Sequence, residues 1–189
     1  LIYTDKFSER FCAKKESDAI CTFKEYATGS AIAIGYEKNY VRILTAHHVC
    51  SEVTEEALGL IYKNRDGSYD YPYFSLIASF YGEKYDAKII DYDIENDICL
   101  LEIESEYAYK VKKIKIAESL PRIGETLYTI SSPLSMHSKT TRFHFHGAYA
   151  GCDDKNLSKS DFCYFSIPAA PGSSGSGVFN KQGELVSLI

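Results

Sequence analysis

The chain has 189 residues, 45% of them hydrophobic, and a formal net charge of -5, which suits one globular domain or two small subdomains sharing an interface. Acidic and basic residues interleave, so the basic stripe with which a nucleic-acid binder neutralises phosphates is lacking. No stretch approaches the about 20 apolar residues of a membrane span, and Leu1-Ile2-Tyr3-Thr4-Asp5-Lys6 has neither the basic start nor the apolar run of a signal peptide.

In chain order, residues 8–19 read as a short helix, and 31–34 and 40–44 as strands rich in β-branched and aromatic residues. A second short helix is expected over 51–58, with Ser51 as N-cap and Thr54, Glu55 and Glu56 in its first turn. Strands follow over 74–78, 87–90, 98–103, 126–130, 140–146, 164–167 and 185–189. Glu37-Lys38-Asn39, Asp66-Gly67 and Lys181-Gln182-Gly183 supply turn chemistry between them. Many short strands with few helical stretches predict an all-β sandwich or barrel pair. A subdomain break fits between Glu104 and Lys115, which divides the chain into an arm (1–20), a first unit (21–104) and a second unit (115–189). The basic cluster Lys110-Val111-Lys112-Lys113-Ile114-Lys115 alternates, and reads as an exposed strand face or linker.

Six cysteines are too few for a disulfide scaffold, and no Cys-x-x-Cys pair suggests zinc. Cys99, inside the apolar run Ile98-Cys99-Leu100-Leu101, reads as a buried thiol. Free thiols are the reading adopted; if any bridge forms, Cys12–Cys21 and Cys152–Cys163 are the pairs close enough in sequence to suspect. His144 and His146 alternate with Phe143 and Phe145, so both imidazoles share one strand face. A metal there would need a third ligand such as His137; a solvated strand face is the reading adopted, and neither metal nor cofactor is expected.

Three segments carry chemistry. In Pro171-Gly172-Ser173-Ser174-Gly175-Ser176-Gly177, small residues around a serine let the backbone turn tightly, expose one hydroxyl and aim N–H groups at one point. In Ile43-Leu44-Thr45-Ala46-His47-His48-Val49, a strand delivers two histidines, a rigid mount for a general base. Asp97 opens the apolar strand Ile98-Cys99-Leu100-Leu101, where partial burial calls for a partner such as an imidazole N–H.

Together, in the order His, Asp, Ser, these segments resemble the trypsin/chymotrypsin superfamily, and the resemblance covers nearly the whole chain. Thr45-Ala46-His47-His48 is similar to the family's Thr-Ala-Ala-His, which selects His48 over His47. Asn96-Asp97-Ile98-Cys99-Leu100-Leu101 is similar to Asn-Asp-Ile-Ala-Leu-Leu, and Gly172-Ser173-Ser174-Gly175-Ser176 to Gly-Asp-Ser-Gly-Gly. Pro171 to Asn180, the segment Ile123 to Leu134 and Gly29-Ser30-Ala31 bring it closest to HtrA-like and viral or phage members.

The resemblance implies two antiparallel six-stranded β-barrels with the active site in the cleft between them. It implies a serine endopeptidase with His48, Asp97 and Ser174 as catalytic triad. The loop Gly172-Ser173-Ser174 would form the oxyanion hole, its donors being the N–H groups of Gly172 and Ser174. Pro168, Ala169 and Ala170 fall at the substrate pocket, where no acid stands to favour Arg or Lys; apolar or small side chains are expected. A protein or peptide substrate is implied.

Ser173 replaces the aspartate that pairs with a freed N-terminus in trypsin-type zymogens, so extra residues before Leu1 are expected to leave activity intact. Ser176 replaces a glycine, which requires its φ to stay negative. The family continues past Ile189 with the wall of the specificity pocket, which leaves room for appended domains or a processing partner beyond it. The compartment is not readable, with an intracellular or viral setting favoured. The competing expectation is a catalytically silent protease-like fold that binds or scaffolds other proteins.

Overall fold

The computed structural model describes residues 2–14, 17–50, 62–63, 69–70, 72–136, 143–153 and 162–189. Before Thr28 and between 62 and 75, only the backbone course is described. The fold is all-β, as expected. β1 (Ile2–Lys14) and β2 (Ser17–Gly29) form a hairpin whose register runs from Ile2↔Gly29 to Lys14↔Ser17. β1 pairs on its other side with β7 (Pro72–Phe80), which continues into β8 (Glu83–Asp86). Residues 8–14 and 17–19 of the helix expected over 8–19 are therefore strand. Ile2 pairs with Ala78 across most of the first unit, a long-range pairing that overrides local helical preference. The helix expected over 51–58 lies outside the described residues.

The second sheet places the first two chemical segments. Its order is β3 (Ile32–Glu37), β4 (Tyr40–Ala46), β10 (Ile98–Glu104) and β9 (Lys88–Asp93). Period-2 burial runs down both central strands. Val41, Ile43 and Thr45 of β4 face inward, as do Cys99, Leu101 and Ile103 of β10. The register sets Ile43 against Leu101 and Val41 against Ile103, so the buried residues form cross-strand pairs. β5 (Tyr62–Lys63) and β6 (Tyr69–Asp70) make a small separate ladder.

A connecting stretch with one 3-10 turn, Ala108–Lys110, leads to the third sheet. It contains β11 (Thr126–Ser131), β12 (Phe143–Cys152), β13 (Cys163–Phe165), β14 (Gly177–Phe179) and β15 (Leu185–Leu188), in the order β13-β12-β11-β14-β15. Leu127, Tyr149 and Val178 form its buried centre. His144 and His146 do share the exposed face of β12, where Tyr128 lies 5.8 and 6.3 Å from their rings. His137, the third ligand considered, lies outside the described residues.

The free-thiol reading is corrected: Cys99 is bonded to Cys50, and Cys152 to Cys163, the second a pair that its spacing had made suspect. The side chains of Cys12 and Cys21 are outside the described set.

Candidate active site

β4 ends at Ala46 and the chain turns into one helical turn, α1 (His47–Cys50). The turn is moored on the β9–β10 connection, because His47 N–H donates to Asp97 O at 2.9 Å. Asp97 closes that connection with φ 53, a left-handed conformation that Asp tolerates better than most residues. Asp93 braces the same turn: its Oδ2 accepts Asn96 Nδ2 at 2.7 Å and its Oδ1 accepts Asn96 N–H at 3.1 Å. These bonds hold the Asp93 carboxyl below its usual 3.8, the Asn96 side chain contributing most.

With its backbone so fixed, Asp97 turns both oxygens to His48. Oδ1 accepts His48 N–H at 2.8 Å, and Oδ2 lies 2.7 Å from Nδ1. A carboxylate only accepts, so Nδ1 carries the proton and Nε2 is left as the basic nitrogen. The pair is open to the cleft, with side-chain exposures of 54% for His48 and 44% for Asp97. His47 takes the other direction. Its ring packs 5.4 Å from that of Tyr92, and its buried Nε2 has no hydrogen-bond partner among the described residues.

The serine segment folds through two glycines that need left-handed backbone. Ala170-Pro171-Gly172-Ser173 is a β-turn closed by Ser173 N–H to Ala170 O at 2.8 Å, with Gly172 at φ 93 in the position that demands it. Gly175, at φ 82, lies against the histidine strand. A Cβ there would meet Ser30 O and Thr45 Oγ1 at 2.2 Å and Ala46 N at 3.0 Å. Ser174 is thus held beside the segment that delivers His48.

The amides of this segment are sorted by their carbonyls. Pro171 O accepts Leu134 N–H at 2.6 Å, and Ser173 O accepts Ser176 Oγ at 2.6 Å and Ser176 N–H at 3.0 Å. The described peptides are all trans, so the N–H of Gly172 and of Ser174 point the opposite way. Neither donates to a described group. Ser173 differs, because its N–H is spent on Ala170; of the loop Gly172-Ser173-Ser174, it offers no donor to the cleft.

Ser173 is buried, its Oγ accepting Ala170 N–H at 3.3 Å and meeting Ser131 Oγ at 3.5 Å. Nothing charged stands where the zymogen aspartate would. Ser176 stays outside the left-handed region. Its hydroxyl bond to Ser173 O is one that a glycine could not make. A cavity of about 660 Å³ opens beside Asp97, lined largely by apolar residues including Ile98, Ile167, Ala169 and Ile189. Of the three residues expected at a substrate pocket, Ala169 lines it, Pro168 is exposed, and Ala170 is engaged in the turn. No group of three His, Cys, Asp or Glu among the described residues could hold a metal.

An all-β chain that brings a histidine–aspartate pair beside a glycine-flanked serine turn has the build of a chymotrypsin-like protease domain. The chain belongs to the trypsin-like peptidase domain family, which it matches over residues 27–188. It is similar to serine protease HTRA1 of Xenopus laevis, 34% identical over 109 residues, a stretch covering 57% of this chain and 24% of that protein. Serine protease HTRA4 of Homo sapiens is 27% identical over 109 residues, covering 57% and 23%. The chain thus spans about a quarter of the length of these relatives.

Among solved structures, Deg5 superposes with a TM-score of 0.58 at 15% identity, over 99% of this chain and 77% of that one. An HtrA-type protease, AlgW, in a structure with a decapeptide, superposes at 0.62 with 16% identity, over 99% and 54%. The HtrA-like fold is shared.

Proposed function

We propose that the chain is a serine endopeptidase domain that cleaves peptide bonds through an acyl-enzyme. Ser174 Oγ attacks the scissile carbonyl while His48 Nε2 takes its proton. Asp97 holds the imidazole in the required tautomer and stabilises the imidazolium. The carbonyl oxygen becomes an oxyanion that accepts from the N–H groups of Gly172 and Ser174. His48 then gives its proton to the leaving amine, and water repeats the sequence on the acyl-enzyme. The supporting observation is the double hold of Asp97 on His48, since one residue fixes both the backbone and the ring of the base.

The apolar cavity beside Asp97 supports a preference for apolar or small side chains in the substrate. The substrate is a protein or peptide, and the longer relatives support appended domains in the complete protein.

A fluorophosphonate probe tests the reading. The folded protein should be labelled, with labelling lost in Ser174→Ala and in His48→Ala. Failure of the full-length folded protein to label would instead support a silent binding module.

A further inference from the structure

We propose that the Ser30 hydroxyl is a positioning residue for the oxyanion site, holding the Gly172 backbone so that its N–H faces the cleft. This rests on the function proposed above and adds a residue to it.

Ser30 follows β2, is 4% exposed and lies far from the serine segment in sequence. Four bonds converge on it. Its N–H donates to Ser174 O at 2.7 Å, and its hydroxyl donates to Gly172 O at 2.8 Å. The same oxygen accepts Ser132 N–H at 3.0 Å, and its carbonyl accepts Thr45 Oγ1 at 2.8 Å. One residue therefore grips the carbonyls on either side of Ser173 and the strand that leads to His48.

Something must do so, because Gly172 is the least restrained kind of residue. A glycine at φ 93 has other accessible conformations, and turning the Pro171–Gly172 peptide would swing its N–H out of the cleft. Two bonds oppose that rotation. Downstream, Gly172 O is tied to Ser30. Upstream, Pro171 O is tied to Leu134 N–H at 2.6 Å, in a turn that is itself anchored by Ser132 on Ser30 Oγ. Both restraints meet on one hydroxyl. Removing it leaves Gly172 O and Ser132 N–H without their partner while leaving the Ser30 backbone bonds in place.

Ser30→Ala deletes the hydroxyl alone and Ser30→Gly the whole side chain, so Ser30→Ala is the primary test and a folded Ser30→Gly the second variant. The matched control is Thr129→Val, which removes a buried hydroxyl bond to Gly177 O at 2.7 Å, away from the oxyanion site. Loss of a whole oxyanion donor costs about 100- to 1,000-fold in turnover; loss of its alignment should cost about 10- to 100-fold. The Ser30 variants are expected to lose kcat by that factor with KM nearly unchanged. Affinity for a peptide boronate should fall in parallel, since its tetrahedral adduct fills the same site, while affinity for the cleaved acid product should hold. Thr129→Val should melt lower and keep its turnover.

Ser30 variants with wild-type kcat and boronate affinity would overturn the proposal. So would equal losses in Thr129→Val, which would make Ser30 a simple strut. Should the parent protein fail to react with fluorophosphonate, the proposed function falls, and the Gly172 amide NMR resonance still decides Ser30. It is expected to broaden or split in Ser30→Ala, and an unchanged resonance refutes the positioning role.

Discussion

Both carboxylate oxygens of Asp97 are committed to a single residue, Oδ1 to the backbone N–H of His48 and Oδ2 to its ring. The contact is partly open to solvent, so its value lies in orientation more than in charge burial. Asp97→Asn keeps the shape but places an amide N–H where an acceptor is needed. It is expected to lower kcat by about four orders of magnitude with little change in melting temperature. Steady-state kinetics beside a thermal melt check this.

The two adjacent histidines should behave oppositely. His48→Ala is expected to abolish turnover, and His47→Ala to keep most of it, because the anchoring bond of His47 uses its backbone N–H. His47→Phe removes an imidazole nitrogen that is buried with no partner among the described residues. It should stabilise the protein by about 1 kcal/mol if the ring is accepted beside Tyr92. Parallel turnover and denaturation measurements separate the two roles.

Gly175 has no room for a side chain. Gly175→Ala would drive a methyl into Ser30 O and Thr45 Oγ1 at a left-handed φ. A loss of about 3 kcal/mol or more is expected, with activity falling because the serine segment must back away from the histidine strand. Urea unfolding read with probe labelling tests this.

Acid should loosen the Asp97 turn through Asp93. Its folded carboxyl lies below 3.8 because Asn96 bonds the charged form. Its stabilising contribution is therefore complete above the unfolded value, and is lost as pH falls from near 3.8 through the lower folded value. Asp93→Asn should weaken the pH dependence of stability in that window and change little near pH 7 beyond a constant offset. Melting temperatures across acid pH check it.

The Cys50–Cys99 bridge ties α1 to β10, each cysteine lying two residues beyond His48 or Asp97. Replacing both with Ala should cost about 2–4 kcal/mol of stability. Turnover should fall more than KM rises, as the base and its carboxylate lose a shared anchor. Steady-state kinetics and urea unfolding of the double variant check this without a reductant, which would also open Cys152–Cys163.

The candidate site was legible because each of its residues lies in a short local pattern, at 45–48, 96–97 and 172–175. What lies between those patterns was not. Ser30 matched a framework motif, yet its hold on Gly172 joins positions far apart in sequence, and no periodicity reports such a bond. Cys99 read as a hydrophobe because its neighbours are apolar. The clue was that Cys50 and Cys99 follow His48 and Asp97 at the same offset. The β1–β2 hairpin was missed for a related reason: its partner β7 begins at Pro72, and helix propensity is local while strand pairing is not. Of the expected substrate residues, only Ala169 was brought to the cavity, since the turn at Pro171 draws Ala170 into its own hydrogen bonds.

The central claim is covalent catalysis by Ser174. Intact-mass and peptide-mapping mass spectrometry after rapid acid quench of the protein with an activated peptide ester measures it most directly. An acyl adduct on Ser174 is expected to build within the first turnover and to be absent in His48→Ala. An adduct on another residue, or hydrolysis by folded protein with no Ser174 adduct under any quench time, would contradict it.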